Sequence, residues 1–339
     1  MRWLLLLLLA SGCAQVTSLN MQKHEFGILP TKIIWFQIAG LEEEHVAMLR
    51  FQLSGERKTA FEENNCIGKT WNYNLYNLRN SAEATFLTQM TGKKNIKSTC
   101  EDAEVRPIWS YLGGNGYNTG VLEVGANKAQ SLVSMNECGE KGLVFLSSLY
   151  LWQRRPDLPA SAETFHFREP VPMKPNQLLF DRSCSKTDCV STITDDFKSI
   201  YQEFRKVSHK HFLIVRDFSY LEALEKKDFV KARIVLSDLE RTLSEALVLA
   251  KNSNDYLVLV TSGDSRFVDM PDQGKQWFEF EKNTVKPVVK RTKLTNLVLA
   301  TGARSENFCG VYDDYQIFER LLSGPKQLGL ELKFINPFK

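Results

Sequence analysis

The sequence predicts an α/β protein: three layers, α/β/α, around a mostly parallel central sheet. Two observations carry this prediction. Short, almost wholly apolar runs recur along the chain, and each closes on small residues. Between them lie longer segments with apolar residues at helical spacing. Strands buried on both faces read as continuous apolar runs, and their alternation with helices indicates parallel pairing.

Lys32 to Ile38 is the first such run, closed by Ala39-Gly40. Leu41 to Phe51 follows as a helix, with three glutamates at its positive end. Arg79 to Lys93 is a punctuated helix that Asn80 caps, Glu83 closes as a capping box and Gly92 ends. His211 to Val215 is a short strand. Val230, Ile234, Leu239, Leu243, Ala246 and Leu249 then mark one long helix from Asp228 to Lys251. Tyr256 to Val260 is a strand closed by Thr261-Ser262-Gly263, and Leu297 to Ala300 one closed by Thr301-Gly302. Asp314 to Leu322 reads as a last helix. Pro156 to Pro175 holds five of the 11 prolines and reads as an irregular excursion. The basic run Lys286 to Lys293 reads as a solvated loop. Ligands of such sheets bind beyond the carboxyl ends of the strands, so the residues just after each strand are the candidates.

Composition bounds the function. The 339 residues carry 43 Lys+Arg against 40 Asp+Glu, a formal charge of +3. Apolar residues make up 43% and charged residues 24%, ordinary globular usage. No charge surplus exists to hold a phosphate backbone, which argues against nucleic acid as a partner.

The first residues read as an export signal. Met1-Arg2 is a charged start, Trp3 to Ala10 an apolar stretch too short to span a bilayer. Ala10-Ser11-Gly12-Cys13 resembles the bacterial lipobox, which is cut before a cysteine that is then lipidated. A plain secreted protein cut after Ala14 is the alternative. The expectation is a signal peptide over 1–12, a lipidated Cys13 and tether over 13–30, and one domain over 31–339. The predicted partner is the membrane, through the Cys13 lipid, on the outer membrane of a bacterial envelope. Anchoring takes more than one acyl chain, which a triacylated cysteine supplies. Beyond Cys13, six cysteines remain, an even number suited to disulfides. Cys184 and Cys189 are close enough for a local clip; the pairing of Cys66, Cys100, Cys138 and Cys309 stays open. Neither C-x-x-C nor H-E-x-x-H occurs. Gly68-Lys69-Thr70 has Glu63 where a phosphate loop needs glycine, and Gly263-Asp264-Ser265-Arg266-Phe267 lacks the last glycine of a nucleophile elbow.

The segment Arg79-Asn80-Ser81-Ala82-Glu83-Ala84-Thr85, with Thr91-Gly92 beyond it, resembles the nucleophile helix of the alkaline phosphatase superfamily, D-S-A-x-x-A-T-x-x-x-T-G. Asn80 takes the aspartate position and Ser81 that of the nucleophile. The resemblance continues in order along the chain. Lys32 to Gly40 is similar to the family's first strand, which ends in D-G. Phe212 to Val215 resembles its L-M-V-E-G strand. Lys231 to Ser262 resembles the helix and strand that end in T-A-D-H, and Thr301 to Ser305 its final segment. The resemblance implies an alkaline-phosphatase-like fold with a serine nucleophile and two zinc ions and one magnesium ion.

The implied ligands are replaced. Ala39 stands at the first aspartate, Arg216 at the glutamate, and Leu221 and Glu225 at the next aspartate–histidine pair. Gly263-Asp264 replaces D-H, the last histidine falls near Arg304, and Glu123 stands where the magnesium-site threonine belongs. A serine without metal or base is a poor nucleophile. Three functions follow as expectations. In the first, the cleft is a metal-free anion or partner site with Ser81, Asn80, Arg216, Arg304 and Asp264 in it, arginine suiting phosphate or carboxylate; the alternative is that the arginines pair with Asp217 and Asp264 and fill the site. In the second, Asp217, Asp264, Glu225 and Asp238 rebuild a magnesium- or zinc-type site that activates Ser81 for phosphate ester hydrolysis. In the third, the protein is a structural or partner-binding lipoprotein of the envelope, with Trp71 to Tyr76 as an aromatic surface.

Overall fold

The computed structural model describes residues 29–322, apart from 53–57, 98–99, 157 and most of 272–284. The signal peptide, Cys13 and nearly all of the tether lie outside the described residues.

Ten of twelve described strands form one sheet, in the order β12-β2-β11-β8-β1-β7-β3-β4-β6-β5. These are β1 (Lys32–Ala39), β2 (Cys66–Trp71), β3 (Asn118–Val124), β4 (Leu149–Arg154), β5 (Thr164–Phe165), β6 (Leu178–Asp181), β7 (His211–Asp217), β8 (Tyr256–Gly263), β11 (Thr295–Gly302) and β12 (Gly310–Asp313). β9 (Phe267–Val268) and β10 (Val289–Lys290) make a separate small ribbon. β1 lies at the centre, parallel to both β7 and β8. Within the ten-stranded sheet only β11 runs against its neighbours, antiparallel to β8 and β2.

The helices are α1 (Glu43–Gln52), α2 (Ala82–Thr91), α3 (Ile108–Gly113), α4 (Glu140–Phe145), α5 (Ile193–Val207), α6 (Ser219–Glu225), α7 (Phe229–Asn252) and α8 (Gln316–Leu322). Alternation along β1 divides them into two layers. Ile34, Phe36 and Ile38 point to the face covered by α1, α5 and α7. Ile33, Trp35 and Ala39 point to the face covered by α2, α3, α4 and α8. This is the predicted three-layer arrangement, and it explains why the central strands are apolar on both sides.

The predicted elements are present with shifted bounds. The long helix runs from Phe229 to Asn252, with Asp228 as its cap accepting from Lys231 N. Three disulfides tie the chain: Cys184–Cys189 as expected, and Cys66–Cys309 and Cys100–Cys138 for the cysteines left open. Cys66–Cys309 joins the start of β2 to the turn before β12, so it ties together the two strands at that sheet edge. Among the described residues, no helix is long and apolar enough to cross a membrane.

Candidate active-site cleft

The carboxyl ends of β1 and β8 meet where the cleft was expected. Ala39 pairs in register with Gly263. Neither position has a side chain that could hold a ligand. The space above them is filled from α2: a Cβ built on Gly263 would lie 2.7 Å from Phe86 Cε1. Phe86 is wholly buried and packs edge-on against Phe218, with ring centroids 5.6 Å apart.

Arg216 enters from the end of β7. Its guanidinium carbon lies 5.3 Å from the Phe218 ring centre and 5.8 Å from that of Phe86. Its Nη1 donates to Glu123 Oε1 at 2.5 Å. The two residues are register partners on β7 and β3, and they are only 2% and 1% exposed. The Glu123 carboxylate is saturated. It also accepts from Ser131 Oγ at 2.6 Å, from Leu132 N at 2.8 Å and from Gln153 Nε2 at 2.7 Å. A buried ion pair of this kind persists when further hydrogen bonds satisfy its lone pairs. Arg216 therefore does not pair with Asp217, the partner considered from sequence. Asp217 instead accepts from Ser219 Oγ and from Tyr220 N at the start of α6.

Ser81 sits at the start of α2, as expected, but it and not Asn80 is the cap. Its Oγ accepts from Ala84 N at 3.4 Å. Serine in this role satisfies one of the orphan N–H groups of the first turn. Asn80 lies just before it, buried, with Oδ1 lacking a hydrogen-bond partner. Asp264 is buried too. It accepts from Arg266 Nη2 at 2.9 Å and from Arg291 Nε at 2.7 Å. Burial raises its carboxyl above the ordinary range while the two arginines pull it down. Arg291 Nη2 also donates to the carbonyls of Arg79 and Asn80, at 3.1 and 2.8 Å, so it clamps the loop that leads into Ser81.

Arg304 is not in this cleft. Because β11 runs antiparallel, Gly302 pairs with Leu257 near the start of β8, and Ala303 N donates to Tyr256 O. Arg304 thus lies at the amino edge of the parallel strands, the opposite edge from Ser81. The antiparallel strand instead begins at the carboxyl edge, and the residue it delivers there is Arg291. Arg291 lies inside the basic run Lys286 to Lys293, whose composition is that of a solvated loop and gives no signal of this contact. Arg266 was legible in principle, two residues past Asp264.

The four carboxylates considered for a rebuilt metal site do not converge. Asp238 binds Ile193 N and Thr194 Oγ1 at the start of α5. Glu225 and Asp264 are joined through Arg266, and Asp217 caps α6. The grouped metal-type side chains among the described residues are Asp181, Cys184 and Cys189, and these two cysteines form a disulfide. Two hollows open nearby. A groove of about 980 Å3 runs past Arg154, Ser191 and the first turns of α7. A pocket of about 290 Å3 lies between α2 and the segment that leads to Cys138, and Arg216 lines it.

Burial also sets a pH dependence. It raises the carboxyls of Asp217 to about 6, of Glu42 and Asp314 to about 7, and of Asp196 to about 8. It lowers His45 to about 3 and His211 to about 4. A raised acid keeps its proton in the folded state after the unfolded chain has lost it. That stabilisation is complete below the ordinary carboxyl value and fades as pH rises through the raised values. A lowered histidine acts the other way, losing stability only as pH falls from about 6.5 towards its folded value. Above about pH 6.5 only the acids still titrate, so the melting temperature should fall from about pH 6.5 to about pH 8. Asp314→Asn should shrink that fall; an unchanged slope would remove Asp314 from the explanation.

No protein-family model matches the chain, and no curated protein matches it in sequence. Solved structures do match it in fold. The alkaline phosphatase of the Antarctic bacterium TAB5 has a TM-score of 0.65 at 13% identity, over 90% of this chain and 99% of that one. A cold-active alkaline phosphatase from the psychrophile Shewanella sp. has a TM-score of 0.66 at 12% identity, over 89% and 100%. That of Thermus thermophilus has 0.66 at 10% identity, over 95% and 96%. The fold is therefore alkaline-phosphatase-like.

Proposed function

We propose that the protein is a non-catalytic binding member of this fold, anchored to a bacterial outer membrane through a lipid on Cys13. The buried Arg216–Glu123 pair carries this reading. In the resemblance drawn from sequence, these two positions belong to metal ligands. Here they hold each other, and Glu123 has no lone pair to spare for a cation beside the Arg216 charge. The residues do not fit the other metals better. Ala39 and Gly263 offer no donor atom, and Phe86 fills the volume over Gly263. Among the described residues neither a base nor a metal ligand hydrogen-bonds Ser81 Oγ, which is engaged in capping. An unassisted hydroxyl of that kind does not attack a phosphate ester at a useful rate.

The binding reading departs from the expected constellation. Arg291 and Arg266 take the place of Arg304, and both are engaged with Asp264. The cleft is thus braced rather than open, and partner or ligand contacts fall on the hollows beside it. Localisation follows from the lipobox-like Ala10-Ser11-Gly12-Cys13 and from the disulfides, which suit an oxidising envelope compartment.

The test is hydrolysis of an aryl phosphate by the protein and by Ser81→Ala, with zinc, magnesium or manganese added. The expected result is the same background rate for both under every metal. Turnover that disappears with Ser81→Ala would establish a rebuilt metal-dependent phosphomonoesterase and end the non-catalytic reading.

A further inference from the structure

We propose that the loop after β2, Trp71 to Leu78, dips into the surface of a phospholipid bilayer. These eight residues carry no charge. Leu75 is 84% exposed and Leu78 64%, and Trp71, Tyr73 and Tyr76 beside them are 41–53% exposed. Of the 15 large apolar residues exposed among the described residues, six fall within 67–78, so this is a patch and not scatter. The loop is held in one shape. Asn74 is buried, its Oδ1 accepts from Tyr76 N at 2.8 Å and Asn77 N at 2.7 Å, and its Nδ2 donates to Ile96 O at 3.0 Å. Leu75 N donates to Asn95 Oδ1 at 3.1 Å, and Asn74 N to Asn77 O at 3.0 Å.

Every backbone N–H from Asn74 to Asn77 is thus bonded inside the protein, and this selects the partner. A peptide that adds a strand needs free main-chain donors. The hydroxyls of a glycan would meet leucine. A bilayer is the one surface that demands a backbone satisfied from within. The residue types agree. Trp and Tyr suit the headgroup level, with leucine beyond them and lysine behind. Lys94 Nζ lies 5.5 Å from the ring centres of Tyr73 and Tyr315, and Lys97 Nζ 5.6 Å from that of Tyr76. Asp313 and Glu101 hold these ammoniums at 3.2 and 2.7 Å, so apolar burial and not net charge drives the contact. The loop stands at the carboxyl edge, and the chain enters the fold at Lys32 on the opposite edge. The 17 residues from Cys13 to Pro30 reach at most about 60 Å. An eight-residue strand is only about 26 Å long, so an acylated Cys13 and this loop can share one bilayer.

The experiment places the fluorophore NBD on Leu75→Cys in the full chain as a bacterial host processes it. Phosphatidylcholine vesicles carrying doxyl-labelled acyl chains are then added. The control is NBD on Val248→Cys, 50% exposed near the end of α7, at the other edge of the sheet. A lipid on Cys13 would bring both probes near the vesicle, so the difference between them is the readout, and it does not depend on that lipid. Emission at 75 should shift to the blue and be quenched by the doxyl chains, at about 0.1 M and at about 1 M salt alike. The probe at 248 should do neither. Leu78→Asp, added to labelled Leu75→Cys, should abolish both changes at an unchanged denaturation midpoint, since Leu78 lies outside the core. No quenching at 75, equal quenching at 248, or quenching lost at high salt would each overturn the proposal. So would a blue shift without vesicles that grows with protein concentration, which would make the patch a contact between two copies of the chain.

Discussion

Glu123→Gln should destabilise the protein by about 3–5 kcal/mol, read as a lower denaturation midpoint at an unchanged denaturant slope. The substitution keeps the shape and leaves no cavity, so the effect lies in the lost charge and in the hydrogen bonds that the amide NH2 can no longer accept. It strands the Arg216 cation in a site that is 2% exposed, packed against Phe86 and Phe218 and with Glu83 as the nearest remaining carboxylate to act on it. Two aromatic faces contribute only about 1–2 kcal/mol each to a desolvated cation, less than the lost carboxylate. Removing the charge as well should reverse the damage. In Glu123→Gln/Arg216→Met the amide oxygen still accepts from Leu132 N while its NH2 can donate to Ser131 Oγ, and methionine packs against both rings. The double variant should regain most of the loss, because buried pairs are costly to break and cheap to replace. Equal instability of the single and double variants would show that packing, not charge, makes the site what it is.

The same residues show what the sequence could reveal. β1, β8 and α7 were legible because burial on both faces of a strand, or one face of a helix, writes a periodic apolar code. Ser81 was legible as a helix start, although the cap fell one residue beyond Asn80; both are good caps, and tertiary packing chose between them. Strand direction was not legible. Leu297 to Ala300 is as apolar as Tyr256 to Val260, and nothing local shows that β11 runs backwards. That one reversal moved Arg304 to the wrong edge and brought Arg291 to the right one. β2 escaped notice for a different reason. It lies near the sheet edge, with Ile67 and Trp71 exposed and Cys66 and Thr70 buried, so it lacks a continuous apolar run. Partners of charged residues were hidden as well. Arg216 and Glu123 are 93 residues apart, and only the β3–β7 register joins them.

Gly263→Asp should be the second severe change, costing about 3 kcal/mol or more. Its Cβ would meet the Phe86 ring at 2.7 Å, and the ring cannot retreat, because it is held between Phe218 and the sheet. The new carboxylate would also be buried, at a cost in lost hydration. Shrinking the ring does not simply undo this. Phe86→Leu alone should cost about 1–2 kcal/mol through the space it leaves. Combined with Gly263→Ala, however, the two losses should sum to less than their separate values, since each relieves the other. Strict additivity in that cycle would mean that the ring and the strand end are not in contact. The argument bears on how such a site could regain a metal. A donor at 263 requires a smaller residue at 86. Freeing Glu123 as a ligand requires a neutral residue at 216. Each step alone is destabilising, so the aromatic plug and the ion pair protect each other from piecemeal reversal.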